Sequence, residues 1–119
     1  MQQSLDRRSR RTNDVELATQ YQLEQIIEDF GVKSVVLVDA AGDVVAQCGD
    51  GSGCSRLAES AFSLASGHQR ARRRPTRGDY ACSFRRNGEA YIVAASGSQK
   101  EMREVGVFRA ILGLRRIRS

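Results

Sequence analysis

Apolar residues in this chain form helix-spaced stretches that alternate with short strand-like runs. Between Asn13 and Gly31, Val15, Ala18, Tyr21 or Gln22, Leu23, Ile26, Ile27 and Phe30 recur three or four residues apart, while Glu16, Gln20, Glu24 and Glu28 fall on another face. Asn13 with Glu16 three residues on is a helix-start signature, and Gly31 is a favoured helix stop. Val35, Val36, Leu37 and Val38 then form an unbroken run, too short for an ordinary helix and rich in strand formers, which reads as a strand covered on both faces. Ala40, Ala41, Gly42 and Asp43 make a turn, and Val44, Val45 and Ala46 return antiparallel.

The second half repeats the alternation. Gly49, Gly51 and Gly53 with Asp50 and Ser52 read as a flexible connection to a second helix, Ser55 to Ser66. In that helix Leu57, Ala61, Leu64 and Ala65 form a stripe that Ala58 and Phe62 widen. The arginine-rich stretch around Pro75 reads as a basic loop or a short edge strand, because charge and proline protect an exposed edge from further pairing. From Asp79 to Phe84, Tyr80, Cys82 and Phe84 alternate with Ala81 and Ser83. Asn87-Gly88 is a strong hairpin turn, and the apolar run Ala90 to Ala95 returns inside the sheet. A third helix starts at Gln99, with Met102, Val105, Phe108, Ile111 and Leu112 expected inside and Lys100, Arg103 and Arg109 outside. The whole predicts an α+β fold, an antiparallel sheet with helices on its faces.

Length adds that one domain suffices: a chain of 119 residues buries roughly two-thirds of its unfolded surface. The reading is a basic, disordered arm over residues 1–12 and a domain over 13–119. Charge adds a polarity. The net +5 divides into +3 over residues 1–13, −7 over 14–66 and +9 over 67–119. Such asymmetry suits an acidic partner, nucleic acid, or the acidic part of a neighbouring copy. The sharpest cluster is Arg70, Arg72, Arg73, Arg74 and Arg77, a candidate partner-binding patch. Against nucleic acid stand the absence of an aromatic RNA-binding motif and of a recognition helix. No apolar stretch approaches the ~20 residues of a membrane span, leaving peripheral contact as the only membrane role. The polar, arginine-rich start and the odd cysteine count point to a reducing, cytoplasmic setting.

Candidate chemistry is sparse. Cys48, Cys54, Cys82 and His68 have zinc-ligand types but no CxxC pair to anchor a site. Small buried hydrophobes is the plainer reading, although Cys54 near a helix start could carry a lowered pKa and act as a reactive thiol. The Gly49 to Gly53 loop lacks the lysine and hydroxyl of a phosphate loop, and Asp50 would repel phosphate. No catalytic, metal or cofactor site is assigned.

The stretch Gly31-Val32-Lys33-Ser34-Val35-Val36-Leu37-Val38-Asp39-Ala40-Ala41-Gly42, set between the first two helices, resembles the roadblock/dynein-light-chain family from about Asp14 to Ile117. The resemblance implies a profilin-like architecture: a five-stranded antiparallel sheet of order 2-1-5-4-3, the second helix on one face, the first and third on the other. The third strand of that sheet would fall on Gln69 to Thr76, which is less apolar than the family's strand. It also implies a non-enzymatic homodimer that regulates or scaffolds a small Ras-like GTPase or another roadblock protein. Its interface would be Val44, Val45, Ala46 and Gln47 with Arg56, Leu57, Ser60, Ala61 and Leu64. Independently, Val44 to Gln47 is an apolar edge without proline or lysine, a template for pairing. The alternative function is a basic nucleic-acid-binding module using residues 70–77.

Overall fold

The computed structural model describes residues 3–66 and 79–117, with side chains over 15–65 and 79–117. Its elements are α1 (Gln3–Phe30), β1 (Ser34–Asp39), β2 (Val44–Gly49), α2 (Gly51–Ser66), β3 (Asp79–Arg86), β4 (Glu89–Ser96) and α3 (Lys100–Arg116). The strands pair antiparallel in the order β2-β1-β4-β3. Among the described residues this is the expected order without its third strand. Among the described residues four strands stand where five were expected, and Gln69 to Thr76 lies outside them, as does the whole arginine cluster from Arg70 to Arg77.

The central strand is built as its composition requires. Val35, Val36, Leu37 and Val38 are all fully buried, roughly 1.5–3 kcal/mol of hydrophobic stabilisation for each. Alternation sends them to opposite layers. Val35 and Leu37 join Phe84, Val93 and Ala95 beneath Leu23 and Ile26 of α1 and Val107, Ala110, Ile111 and Leu114 of α3. Val36 and Val38 join Ala81, Ile92 and Ala94 beneath Cys54, Leu57 and Ala61 of α2. One helix therefore covers one face and two cover the other, as expected.

Both turns follow from local chemistry. Asp39 Oδ1 accepts from the backbone N–H of Ala41 (3.0 Å) and Asp43 (2.9 Å), and Gly42 takes φ +91°. Asn87 and Gly88 both take positive φ, the demand of a two-residue hairpin of this type. Gly31 closes α1 at φ +73°, its N–H donating to the Ile27 carbonyl.

Four expectations need correction. The helix expected to start at Asn13 runs from Gln3, so the backbone of the expected arm is helical and Asn13 is not a cap. Tyr21, offered for the α1 stripe, is 57% exposed, and Thr19 takes a buried place in that helix instead. The expected glycine loop is mostly helix: Asp50 accepts from the Gly53 N–H and the Ser52 hydroxyl, both at 2.9 Å, and so starts α2 at Gly51. On α3 the buried face is Gly106, Val107, Ala110, Ile111 and Leu114, so of the expected inner residues only Ile111 is inside. Met102, Val105, Phe108 and Leu112 are exposed.

Candidate interaction surface

Strand β2 forms one edge of the sheet, and its outward-facing side chains make the candidate surface. Val44 and Val45 are 44% and 46% exposed, whereas Ala46 and Cys48 pack partly against the α1 and α3 layer. The β1–β2 register shifts between Leu37 and Val38, because Leu37 pairs with Ala46 but Val38 with Val44. Val45 is thus the extra residue of a bulge, which bends the strand and turns that side chain outward. A side chain of α1 also engages the strand: Gln20 Nε2 donates to the Gln47 carbonyl at 3.0 Å.

The residues named for self-association divide by burial. Val44, Val45 and Gln47 are exposed, and Ala46, Ser60 and Leu64 are half-buried. Leu57 and Ala61 are fully buried beneath α2, where they already pack on the sheet of their own subunit. The Arg56 guanidinium is committed internally, pairing with Asp79, whose side chain is buried at the start of β3. Among the described residues, Asp79 Oδ1 has no hydrogen-bond partner, so Arg56 supplies that carboxylate's compensation through Oδ2.

Periodicity alone misplaces Phe62, assigning it to the core. It follows the fully buried Ala61 by one residue, hence lies about 100° round the helix, and is 47% exposed. Its ring lies over the β1–β2 turn: a Cβ on Gly42 would stand 3.4 Å from Phe62 Cε2. With Ala65, Ala40, Tyr91 and Ile92 it lines a mostly apolar cleft of about 240 Å³. The exposed apolar patch around this hairpin is therefore Val44, Val45 and Phe62. The angular offset from Ala61 is the signal in the sequence that could have found it.

The thiols form no joint site. Cys54 is 1% exposed, and its Sγ lies 3.3 Å from the Cys48 carbonyl and 3.8 Å from that of Val35. Burial answers the suggestion of a reactive Cys54: it is packed as a core residue. Burial also raises the Cys48 thiol, with Glu24 and Cys54 adding to the effect, and burial raises Cys82. His68 lies outside the described residues, and among those described no three His, Cys, Asp or Glu side chains stand close enough to hold a metal. Also among the described residues, no helix is long and apolar enough to cross a membrane.

Neither a family profile nor a curated protein sequence matches this chain. Solved structures do. Myxococcus xanthus MglB superposes with a TM-score of 0.58 at 14% identity, over 86% of this chain and 88% of that one. A structure described as MglB with tetrameric arrangement gives 0.59 at 14%, over 87% and 89%. The gliding protein MglB of Thermus thermophilus gives 0.58 at 17%, over 87% and 90%. Taken with the strand order and the split of the helices between the two faces, these likenesses show that the chain adopts a roadblock-like fold.

Proposed function

We propose that this protein is a non-catalytic regulatory or scaffolding module that pairs with a second copy of itself and binds a small Ras-like GTPase. The observation that carries the reading is the edge strand β2, which holds Val44 and Val45 in solvent on a roadblock-like fold. An unpaired edge with apolar side chains is a template for another strand, and a twofold axis would let the same edge of a second copy satisfy it. Phe62 widens the apolar area available to such a contact. Leu57 and Ala61 contribute indirectly, by fixing α2 on the sheet beside that edge. The structural likeness to MglB, together with the roadblock resemblance of Gly31 to Gly42, supports the GTPase as partner.

The experiment has two arms. In the first, Val45→Arg places a charge in the contact and should abolish pairing through β2, read as a fall in solution mass with unchanged circular dichroism. Unchanged mass would count against β2 as the contact. In the second, Ras-like GTPases encoded in the same genome are loaded with GDP or a non-hydrolysable GTP analogue and titrated against the protein. Binding that differs between the two nucleotide states supports a regulator, and binding in neither state removes the GTPase reading.

A further inference from the structure

The outward face of α3 has the form of half a helix–helix interface. Glu101, Val105, Phe108, Leu112 and Arg115 succeed one another at intervals of four, three, four and three residues, the spacing of a coiled-coil seam. The three in the middle are apolar and 48%, 51% and 53% exposed. Core formation does not account for them, because α3 already buries Val107, Ala110, Ile111 and Leu114 on its other side. Phe108 also stands on the rim of a groove between α3 and β3, about 680 Å³, whose walls include Cys82, Phe84, Ile111 and Leu112. Tyr80 meets the Phe108 ring edge-on at 6.4 Å, holding it at that rim.

Charge at the two ends of this seam identifies the occupant. Glu101 and Glu104 flank its start, and Arg115 and Arg116 its finish. Acids first and bases last also suit the dipole of the helix itself, but that does nothing to account for the apolar centre. Of the two basic residues at this end, Lys100 lies about 100° round the helix from Glu101, off the seam, and Arg103 is turned inward, its guanidinium donating to the carbonyls of Gly97 (3.4 Å) and Ser98 (3.0 Å). The outward seam therefore reads acidic, apolar, basic. A second copy laid antiparallel, with Phe108 at the twofold axis, brings acidic end to basic end. Glu101 and Arg115 each lie seven residues from Phe108, about 10.5 Å along the helix, so Glu101 of one copy meets the partner subunit's Arg115, and symmetry makes the contact twice. Parallel pairing would set like charges together.

We propose that α3 pairs antiparallel with α3 of a second copy through Val105, Phe108 and Leu112. The contact does not depend on the β2 reading. β2 is at one edge of the sheet, whereas α3 packs over β3 and β4 towards the other. Where both contacts form, each subunit carries two twofold surfaces, and the assembly grows beyond a pair to a closed tetramer or an open chain, according to how the two axes meet.

Sedimentation equilibrium across a concentration series tests this with the full chain. Phe108→Glu should remove the α3 contact, lowering the wild-type mass and leaving only the pair formed through β2; because the site is half exposed, circular dichroism should not change. Val45→Arg should leave a pair held by α3, and the two changes together a monomer. A charge exchange tests the alignment. Glu101→Arg and Arg115→Glu should each weaken the α3 pair by at least about fivefold, since each turns two attractions into repulsions, and the double exchange should restore it. The proposal is overturned if Phe108→Glu leaves the mass unchanged, or if Val45→Arg alone gives a monomer at every concentration, a result that would leave the β2 reading standing. A double exchange that fails to restore pairing overturns the antiparallel arrangement.

Discussion

Helices α2 and α3 both cover the sheet, yet they solve the packing in opposite ways. Among the described elements α2 lies alone on its face, turns Cys54, Leu57 and Ala61 fully inward and, Phe62 apart, leaves Ser52, Ser55 and Glu59 in water. α3 shares its face with α1 and turns Gly106, Val107, Ala110, Ile111 and Leu114 inward, while Val105, Phe108 and Leu112 stand out. A helix that must also touch another helix needs a slim flank. At Gly106 an added Cβ would stand 3.2 Å from Ile26 Cγ2 and 3.4 Å from Phe30, tighter than ordinary contact, so the close approach of α3 to α1 depends on the missing side chain. On α3, which is apolar on both sides, the side that goes in is the one that carries Gly106 against α1.

Two leucines of α3 separate these roles most sharply. Leu114 is fully buried and Leu112 is 53% exposed, although they are two residues apart. In the Phe108→Glu background, which removes the proposed α3 pairing, Leu114→Ala should cost about 3 kcal/mol of unfolding free energy, and Leu112→Ala less than about 0.5 kcal/mol, measured by denaturant unfolding at fixed protein concentration. Equal losses would mean that the outer seam is part of the subunit's own core. On α2 the corresponding test is Arg56. Arg56→Ala leaves the buried Asp79 carboxylate without its partner and should cost about 2 kcal/mol, below the range for fully buried pairs because Arg56 is half exposed. Asp79→Asn in the same background should recover much of that loss, since it removes the uncompensated charge.

The residues that could be read from sequence are those whose surroundings are set locally or by a single layer. Val35 to Val38 are apolar without interruption and are buried on both sides; Asn87-Gly88 takes the two positive φ angles its chemistry favours. Tyr80, Cys82 and Phe84 face one layer and Ala81 the other, as strict alternation requires. Phe108 and Phe62 escape such a reading because helical periodicity finds a stripe without saying what lies opposite. The inner side of α3 is chosen by α1, more than seventy residues away in the chain. The candidate surface is legible only as an edge. The apolar, proline-free run Val44 to Gln47 is visible in the sequence, but not the bulge that turns Val45 out, nor the burial of Leu57 and Ala61, nor the engagement of Arg56 by Asp79.

The smallest expected effect contrasts the starts of the same two helices. α2 begins on Asp50, which accepts from the Gly53 N–H and the Ser52 hydroxyl, whereas Gln99 at the start of α3 makes no side-chain cap. The Gly53 N–H first, and then the Ser52 hydroxyl, hold the Asp50 carboxyl below its usual 3.8; desolvation opposes them, and the charges of Lys33 and Arg56 add a little more lowering. A depressed folded-state pKa makes the carboxylate's contribution fully present above the unfolded value and removes it as pH falls through the folded one. Asp50→Ala should therefore lower the melting temperature at neutral pH, and the gap from wild type should narrow only below about pH 4. Gln99→Ala should leave the melting temperature unchanged across the same range. A gap for Asp50→Ala that persists undiminished to the acid end would show that the hydroxyl and amide contacts at this cap do not depend on its charge, and no gap at neutral pH would leave α2 and α3 alike at their starts.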